Sequence, residues 1–263
     1  MDGPHIIGFI GALIVGFVLG LIGGGGSILT VPILVYLLGF NPIIATAYSL
    51  FIVGSSSLVG TIQKYKKKLV DFKTGLLFSF PSFIAVYLTR RYLVSNLPEN
   101  LLSFNNYTLT KEVGIMLFFA IIMLWSSLSM IKKKKETPIT DAVQPYYITF
   151  VHGLIIGTIT GVIGAGGGFL YVPALVLWAK LPMKKAVGTS LVIITINSLI
   201  GFTGDIQNIS VDWKFLLTFS VLTIIGVLLG SYFSKNVSNQ SLKKGFGYFT
   251  LIMACYIMYM ELS

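Results

Sequence analysis

Ten apolar runs follow one another along the chain, at roughly 6–22, 27–39, 43–63, 75–94, 113–131, 148–163, 168–179, 186–204, 215–233 and 245–262, with short polar breaks between them. An α-helix needs about 17–25 apolar residues to cross the hydrocarbon core of a bilayer. Most of the runs meet that length. The runs at 27–39 and 168–179 do not, and each follows another short run across a glycine cluster. Runs of this length mark helices that penetrate a membrane without spanning it alone. No polar stretch is long enough for a separate soluble domain.

Composition agrees. Charged residues make up 11% of the 263 residues, against about 25% in a soluble domain, and the mean hydropathy is +0.86. The net charge of +10 does not point to nucleic acid. The basic residues sit in small clusters between apolar runs, at Lys64–Lys68, Lys132–Lys135, Lys184–Lys185 and Lys243–Lys244, as in the cytoplasmic loops of membrane proteins. They form no basic face with interleaved aromatics. Cys255 is the only cysteine, which excludes a disulfide within the chain and a cysteine-based metal site. Its place in the last apolar run is that of a buried structural thiol. The start of the chain lacks the positive region of a signal peptide, so the first apolar run reads as part of the mature protein.

The chain repeats itself. With a constant offset of 141, Gly16–Lys73 aligns with Gly157–Lys214 without a gap, about a third of the positions being identical. Pro32 meets Pro173, Ser49 meets Ser190, Ser57 meets Ser198, and Val70-Asp71-x-Lys73 meets Val211-Asp212-x-Lys214. Low complexity aligns glycines by chance, but not proline, serine, aspartate and lysine at one offset. The expected organisation is a first repeat over 1–131, a cytoplasmic linker over 132–147 and a second repeat over 148–263.

Lysine and arginine decide how the halves are oriented, because cytoplasmic loops are enriched in them. If each glycine-split segment crosses once, the halves are parallel and the basic residues divide almost evenly. If each enters and leaves on one face, the halves are inverted and 15 of the 19 basic residues fall inside. Only Arg90, Arg91, Lys111 and Lys214 then lie outside. The second arrangement is the expectation: an all-α integral membrane protein of inverted repeats. Each repeat has a glycine-broken helical hairpin and three transmembrane helices. Re-entrant hairpins and short full crossings fit it equally.

The clusters Gly23-Gly24-Gly25-Gly26-Ser27 and Gly164-Ala165-Gly166-Gly167-Gly168 interrupt apolar helices at matching positions. Each glycine costs a helix about 1 kcal/mol relative to alanine, so the backbone should unwind there. Unwound backbone at membrane depth is tolerated only inside protein or beside a water-filled cavity. The helix that resumes after each cluster presents unpaired N–H groups and a partial positive charge, a natural seat for an anion, with Ser27 as an N-cap. Matching broken helices in two inverted halves point to a transport site near the midplane. The candidate binding residues are Gly24, Gly25, Gly26, Ser27, Gly166, Gly167 and Gly168, with Ser49, Ser190 and Asn197 from the following helices. Glycines also serve close helix packing, the reading for Gly16, Gly20, Gly157 and Gly161. Asp205 ends its run, where a solvated loop is expected.

The stretches Gly20-Leu-Ile-Gly-Gly-Gly-Gly-Ser-Ile-Leu-Thr-Val-Pro32 and Gly161-Val-Ile-Gly-Ala-Gly-Gly-Gly-Phe-Leu-Tyr-Val-Pro-Ala-Leu175 resemble the paired motif of the TauE/SafE family of membrane transporters. Ala186-Val-Gly-Thr-Ser-Leu191 with Asn197-Ser198 is similar to the segment that follows it. The resemblance covers nearly the whole chain. It implies a cell-membrane transporter of small anions of sulfur metabolism, such as sulfite or organosulfonates. The copies differ at Tyr48-Ser49 against Thr189-Ser190 and at Ser56 against Asn197, so the site is expected to be asymmetric.

The resulting expectation is a secondary transporter of a small anion, working by alternating access and held in the lipid bilayer, with a homodimer left open. An anion channel and a non-transporting scaffold are the alternatives. No nucleophile–base pair and no His, Cys or carboxylate cluster suggests an enzyme, a metal or another cofactor.

Overall fold

The computed structural model describes residues 3–104, 107–131, 146–164 and 166–262. Ten α-helices lie among them. They are α1 (Gly3–Ile22), α2 (Gly25–Pro32), α3 (Pro42–Lys66), α4 (Phe72–Leu88), α5 (Lys111–Ile131), α6 (Tyr146–Ile163), α7 (Gly168–Leu177), α8 (Met183–Asp205), α9 (Trp213–Phe233) and α10 (Asn239–Leu262). π-helical turns prolong α2 over Ile33–Leu37 and α4 over Thr89–Val94. The expected linker falls outside the described residues over 132–145, and Tyr146 and Tyr147 already belong to α6.

Six helices, α3, α4 with its π-helical end, α5, α8, α9 and α10, are long and apolar enough to cross a membrane. Their outer faces are apolar too. On α9, Leu217, Val221, Ile225 and Leu228 are all exposed, one stripe at helical spacing that needs lipid to cover it. Cys255 lies on such a face of α10 and is exposed, so the expectation of a buried thiol is wrong. The polar segment between α4 and α5 contains an antiparallel hairpin of β1 (Asn100–Phe104) and β2 (Tyr107–Thr110). Its strands, of five and four residues, are too short to stand out in a chain of long apolar runs.

The glycine-split segments fold back on themselves. A Cβ added to Gly8 would lie 2.5 Å from Leu38, one added to Gly11 would lie 3.1 Å from Ile33, and Gly26 packs on Val15 and Leu19. α1 and α2 are thus the arms of one helical hairpin with its tip at Gly23–Gly24. α6 and α7 make a second, closed at its open end by the stack of His152 on Trp178, 4.0 Å between ring centroids.

Packing between distant parts of the chain follows a consistent pattern. α1 lies along α9 in parallel, Gly16 and Gly20 resting on the backbone of Thr223 and Val227. α6 lies along α4 in parallel, Gly157 and Gly161 resting on Ser82 and Thr89. These four glycines are therefore packing residues, each replacing a side chain where two backbones meet. α3 and α8 form the most enclosed layer and run antiparallel, since Thr46, near the start of α3, shares Arg90 with Asp205 at the end of α8.

The shared Asp positions cap helices. Asp71 accepts from Thr74 N at 3.1 Å to open α4, and Asp212 accepts from Phe215 N at 3.1 Å to open α9. Their own N–H groups donate to Thr189 Oγ1 (2.9 Å) and Tyr48 Oη (2.7 Å) respectively. The Tyr48/Thr189 difference between the copies thus preserves a hydroxyl acceptor at both places.

Candidate functional site at two glycine tips

Positive φ angles are what close the hairpins. Gly23 has φ +80°, and Gly164, Gly166 and Gly167 have φ +67° to +68°, a region that only glycine enters freely. The break after α1 is only Gly23–Gly24, because Gly25 and Gly26 are already helical. The break after α6 runs from Gly164 to Gly167.

The tips touch. A Cβ on Gly24 would overlap the carbonyl of Gly168, the first residue of α7. Around this contact stand α3 and α8. Gly23 faces Val187 and Ser190, with an added Cβ 3.2 Å from Ser190 Oγ. Gly164 packs on Thr46, and Gly166 faces Val53 and Ser198, an added Cβ lying 2.9 Å from Ser198 Oγ.

Gly24, Gly166 and Gly168 of the expected site residues therefore meet at the tips, with Ser190 beside Gly23. Gly25 opens α2. Gly26 and Gly167 face the other arm of their own hairpin, at Leu19 and Thr160, and do so for packing. Ser27 is not an N-cap: its hydroxyl donates back to Gly24 O at 2.7 Å, and Gly24 occupies the cap position. Ser190 Oγ donates to Val187 O at 2.9 Å.

Several buried polar atoms on α3 and α8, the helices that flank the tips, have no partner. Ser49, Ser57 and Ser198 are fully buried, and their hydroxyls make no hydrogen bond; neither does Asn197 Oδ1. A buried polar group left unpaired costs about 1–3 kcal/mol, so four of them on α3 and α8 are notable. The other end of Asn197 is well held: Nδ2 donates to Ser82 Oγ (2.8 Å) and Tyr171 Oη (2.6 Å). Tyr171 Oη also lies 2.6 Å from Ser82 Oγ and 3.3 Å from Thr160 Oγ1. Sequence reasoning missed Ser82 and Tyr171. The only signal was a hydroxyl in an otherwise apolar run, which most such residues share.

Fixed charges stand toward the two ends of α3 and α8. Arg90, in the π-helical end of α4, is fully buried. It pairs with Asp205 at 2.5 Å and donates to Thr46 Oγ1 (3.0 Å) and Gly161 O (3.4 Å). The expectation of a solvated Asp205 is corrected by this: the carboxylate is buried because it neutralises an arginine 115 residues away. At the other end Lys64 is buried and donates to Ser234 Oγ at 2.7 Å. No group of three or more His, Cys, Asp or Glu residues that could hold a metal occurs among the described residues.

Residues 8–257 match the family described as sulfite exporter TauE/SafE. The chain belongs to the TauE/SafE family. It is a multi-pass membrane transporter. Among similar proteins, a "probable membrane transporter protein" of Xylella fastidiosa is 29% identical over 255 residues, covering 94% of this chain and 92% of that one. The "probable membrane transporter protein YunE" of Bacillus subtilis is 28% identical, covering 94% of both. A relative from Methanocaldococcus jannaschii, also a "probable membrane transporter protein", is 26% identical and covers 88% of both. The TauE/SafE match takes in both glycine tips, five of the six long helices whole and α10 as far as Ile257.

Proposed function

We propose that this chain is a secondary transporter of a small anion, of the class of sulfur oxyanions and organosulfonates, with its site at the glycine tips. The carrying observation is that two broken helices present their tips to each other, with the unpaired, buried Ser198 hydroxyl beside Gly166 and further unpaired hydroxyls, Ser49 and Ser57, on α3. A hydroxyl donor and the N-terminus of a helix both favour negative charge. An anion seated there would take up the missing hydrogen bonds. The family's description as sulfite exporters supports the substrate class.

The same reading takes the two halves as inverted repeats that exchange roles in alternating access. What supports it is the correspondence of contacts at the 141 offset: α1 on α9 as α6 on α4, and Asp71 with Thr189 as Asp212 with Tyr48. Antiparallel α3 and α8 fit that relation, and the lysine-bearing face is then cytoplasmic. Binding through neutral donors suits turnover, with an affinity on the order of micromolar to millimolar. Charge should then select more strongly than size, and cations and neutral sugars should not compete.

The test is transport by purified protein in proteoliposomes. Saturable sulfite or short-sulfonate uptake with counterflow is expected. Flux without counterflow would make the chain a channel, and no flux of any anion would leave a scaffold. Equal competition by a neutral analogue would remove the anion assignment.

A further inference from the structure

A cavity of about 250 Å³ lies between the C-terminal end of α3, the N-terminal end of α8 and the turn from α9 to α10. Lys64, Lys67, Lys184, Lys235 and Ser234 line it, with aliphatic walls that include Val187. No carboxylate occurs among the lining residues. Three of the ammonium groups rest instead on neutral oxygens, and that of Lys235 lies 5.5 Å from the centre of the Tyr232 ring. Lys64 Nζ donates to Ser234 Oγ at 2.7 Å, Lys67 Nζ to Ser231 O at 3.3 Å, and Lys184 Nζ to Lys235 O at 3.1 Å. Lys64 itself is 3% exposed.

Cations do not gather in a partly buried space without a counter-charge unless something supplies one. Burial, and next the Lys235 ammonium, hold the Lys67 pKa below the usual lysine value, as expected where like charges crowd. The opposite face offers a comparison. At the 141 offset Lys64 corresponds to Asp205, and there the buried cation, Arg90, has a carboxylate of the chain as partner. On the lysine face the charged residues that line the cavity are all cations.

We propose that this cavity is a binding site for a multivalent oxyanion, a phosphate- or sulfate-type group with two or more negative charges, separate from the site at the glycine tips. Ammonium groups are compact point charges with three donors each, and several can converge on one tetrahedral group. A water occupies about 30 Å³ in the liquid, so the cavity holds such a group with several waters. The proposal stands on the cavity alone and needs no binding at the tips. A free anion and the phosphomonoester headgroup of a lipid such as phosphatidic acid share the required chemistry.

The experiment is calorimetric titration of inorganic pyrophosphate into the full chain in phosphatidylcholine nanodiscs, at constant ionic strength, with chloride as the comparison. The expected result is saturable pyrophosphate binding, at least tenfold tighter than chloride, that weakens tenfold or more in Lys67→Gln/Lys184→Gln. Both lysines are at least partly exposed, so their loss leaves the packing intact, which matching unfolding midpoints would verify. Ser198→Ala, at the tips, should leave pyrophosphate binding within about twofold. Repeating the titration with a third of the lipid as phosphatidic acid, whose phosphomonoester can carry two charges, separates the sources: weaker pyrophosphate binding by the wild type alone identifies a lipid headgroup as the occupant, and unchanged binding identifies a soluble anion. Equal binding by the wild type and the double lysine variant, absence of binding in neutral nanodiscs, or loss of binding in Ser198→Ala would overturn the proposal. Failure of sulfite flux would not touch it, because flux tests the tips.

Discussion

Arg90 Nε donates to Asp205 Oδ2 at 2.7 Å, Nη2 stands 2.5 Å from the same oxygen, and both side chains are buried. The pair joins the end of α4 to the end of α8 where Thr46 begins α3. Removing one member leaves an uncompensated charge in a dry place, which costs about 3–5 kcal/mol. Arg90→Met alone should therefore lower the unfolding midpoint in detergent sharply. The double variant Arg90→Met/Asp205→Leu should recover a good part of the loss. Additive losses in the double variant would mean that the two charges do not interact.

The same substitution should have opposite signs at two glycines. A Cβ on Gly16 would overlap the carbonyl of Thr223, while one on Gly245 in α10 meets nothing within 4 Å. Gly16→Ala should destabilise by about 1–3 kcal/mol through forced separation of α1 from α9. Gly245→Ala should stabilise by up to about 1 kcal/mol through helix propensity. Thermal unfolding of both variants checks this, and equal shifts would deny Gly16 a packing role.

At the tips, Gly24→Ala should abolish substrate flux while membrane insertion persists, because its methyl group would collide with the backbone of Gly168. Gly166→Leu should do the same with an added backbone penalty, since φ is +67° and Val53 stands 2.8 Å from the new Cβ. Normal flux in both variants would remove the tips from the transport path.

Sidedness can be read by thiol labelling. Cys255→Ser is a permissive background, because Cys255 is exposed on α10. Lys67 and Lys184 line one cavity, so cysteines replacing them should react from one side of the membrane, the cytoplasmic one if the basic residues orient the chain. A cysteine at Asn208 should react from the other. Reaction of the Lys67 and Lys184 positions from opposite sides would contradict the fold itself.

The helices were legible because each requirement for one is local. Apolar length set the spans, and glycine clusters set the two breaks, so the helix ends fall close to those of the apolar runs. What escaped the sequence depends on meetings across the chain. Asp205 looked like a loop residue because Arg90, which holds it, is 115 positions away. Gly26 and Gly167 looked like members of a site because sequence cannot say which neighbour a bare backbone approaches. Ser27 looked like a cap, but its hydroxyl turned to a carbonyl of the preceding turn. The hydroxyls of Ser49, Ser57 and Ser198 stood in the sequence among many similar ones. Their burial without a hydrogen-bond partner became visible only in the fold.

The parallel seam of α1 and α9 has a consequence for biosynthesis. The two helices are separated by about 190 residues of chain, and ribosomes add about 5–20 residues each second. For roughly 10–40 s after α1 emerges, the groove made by Gly16 and Gly20 has no α9 to fill it. A newborn chain must therefore store its first hairpin in the lipid, or under the care of an insertase, until the ninth helix is delivered. Late truncations that remove α9 should leave α1 with its small-residue face open and the fragment marked for quality control.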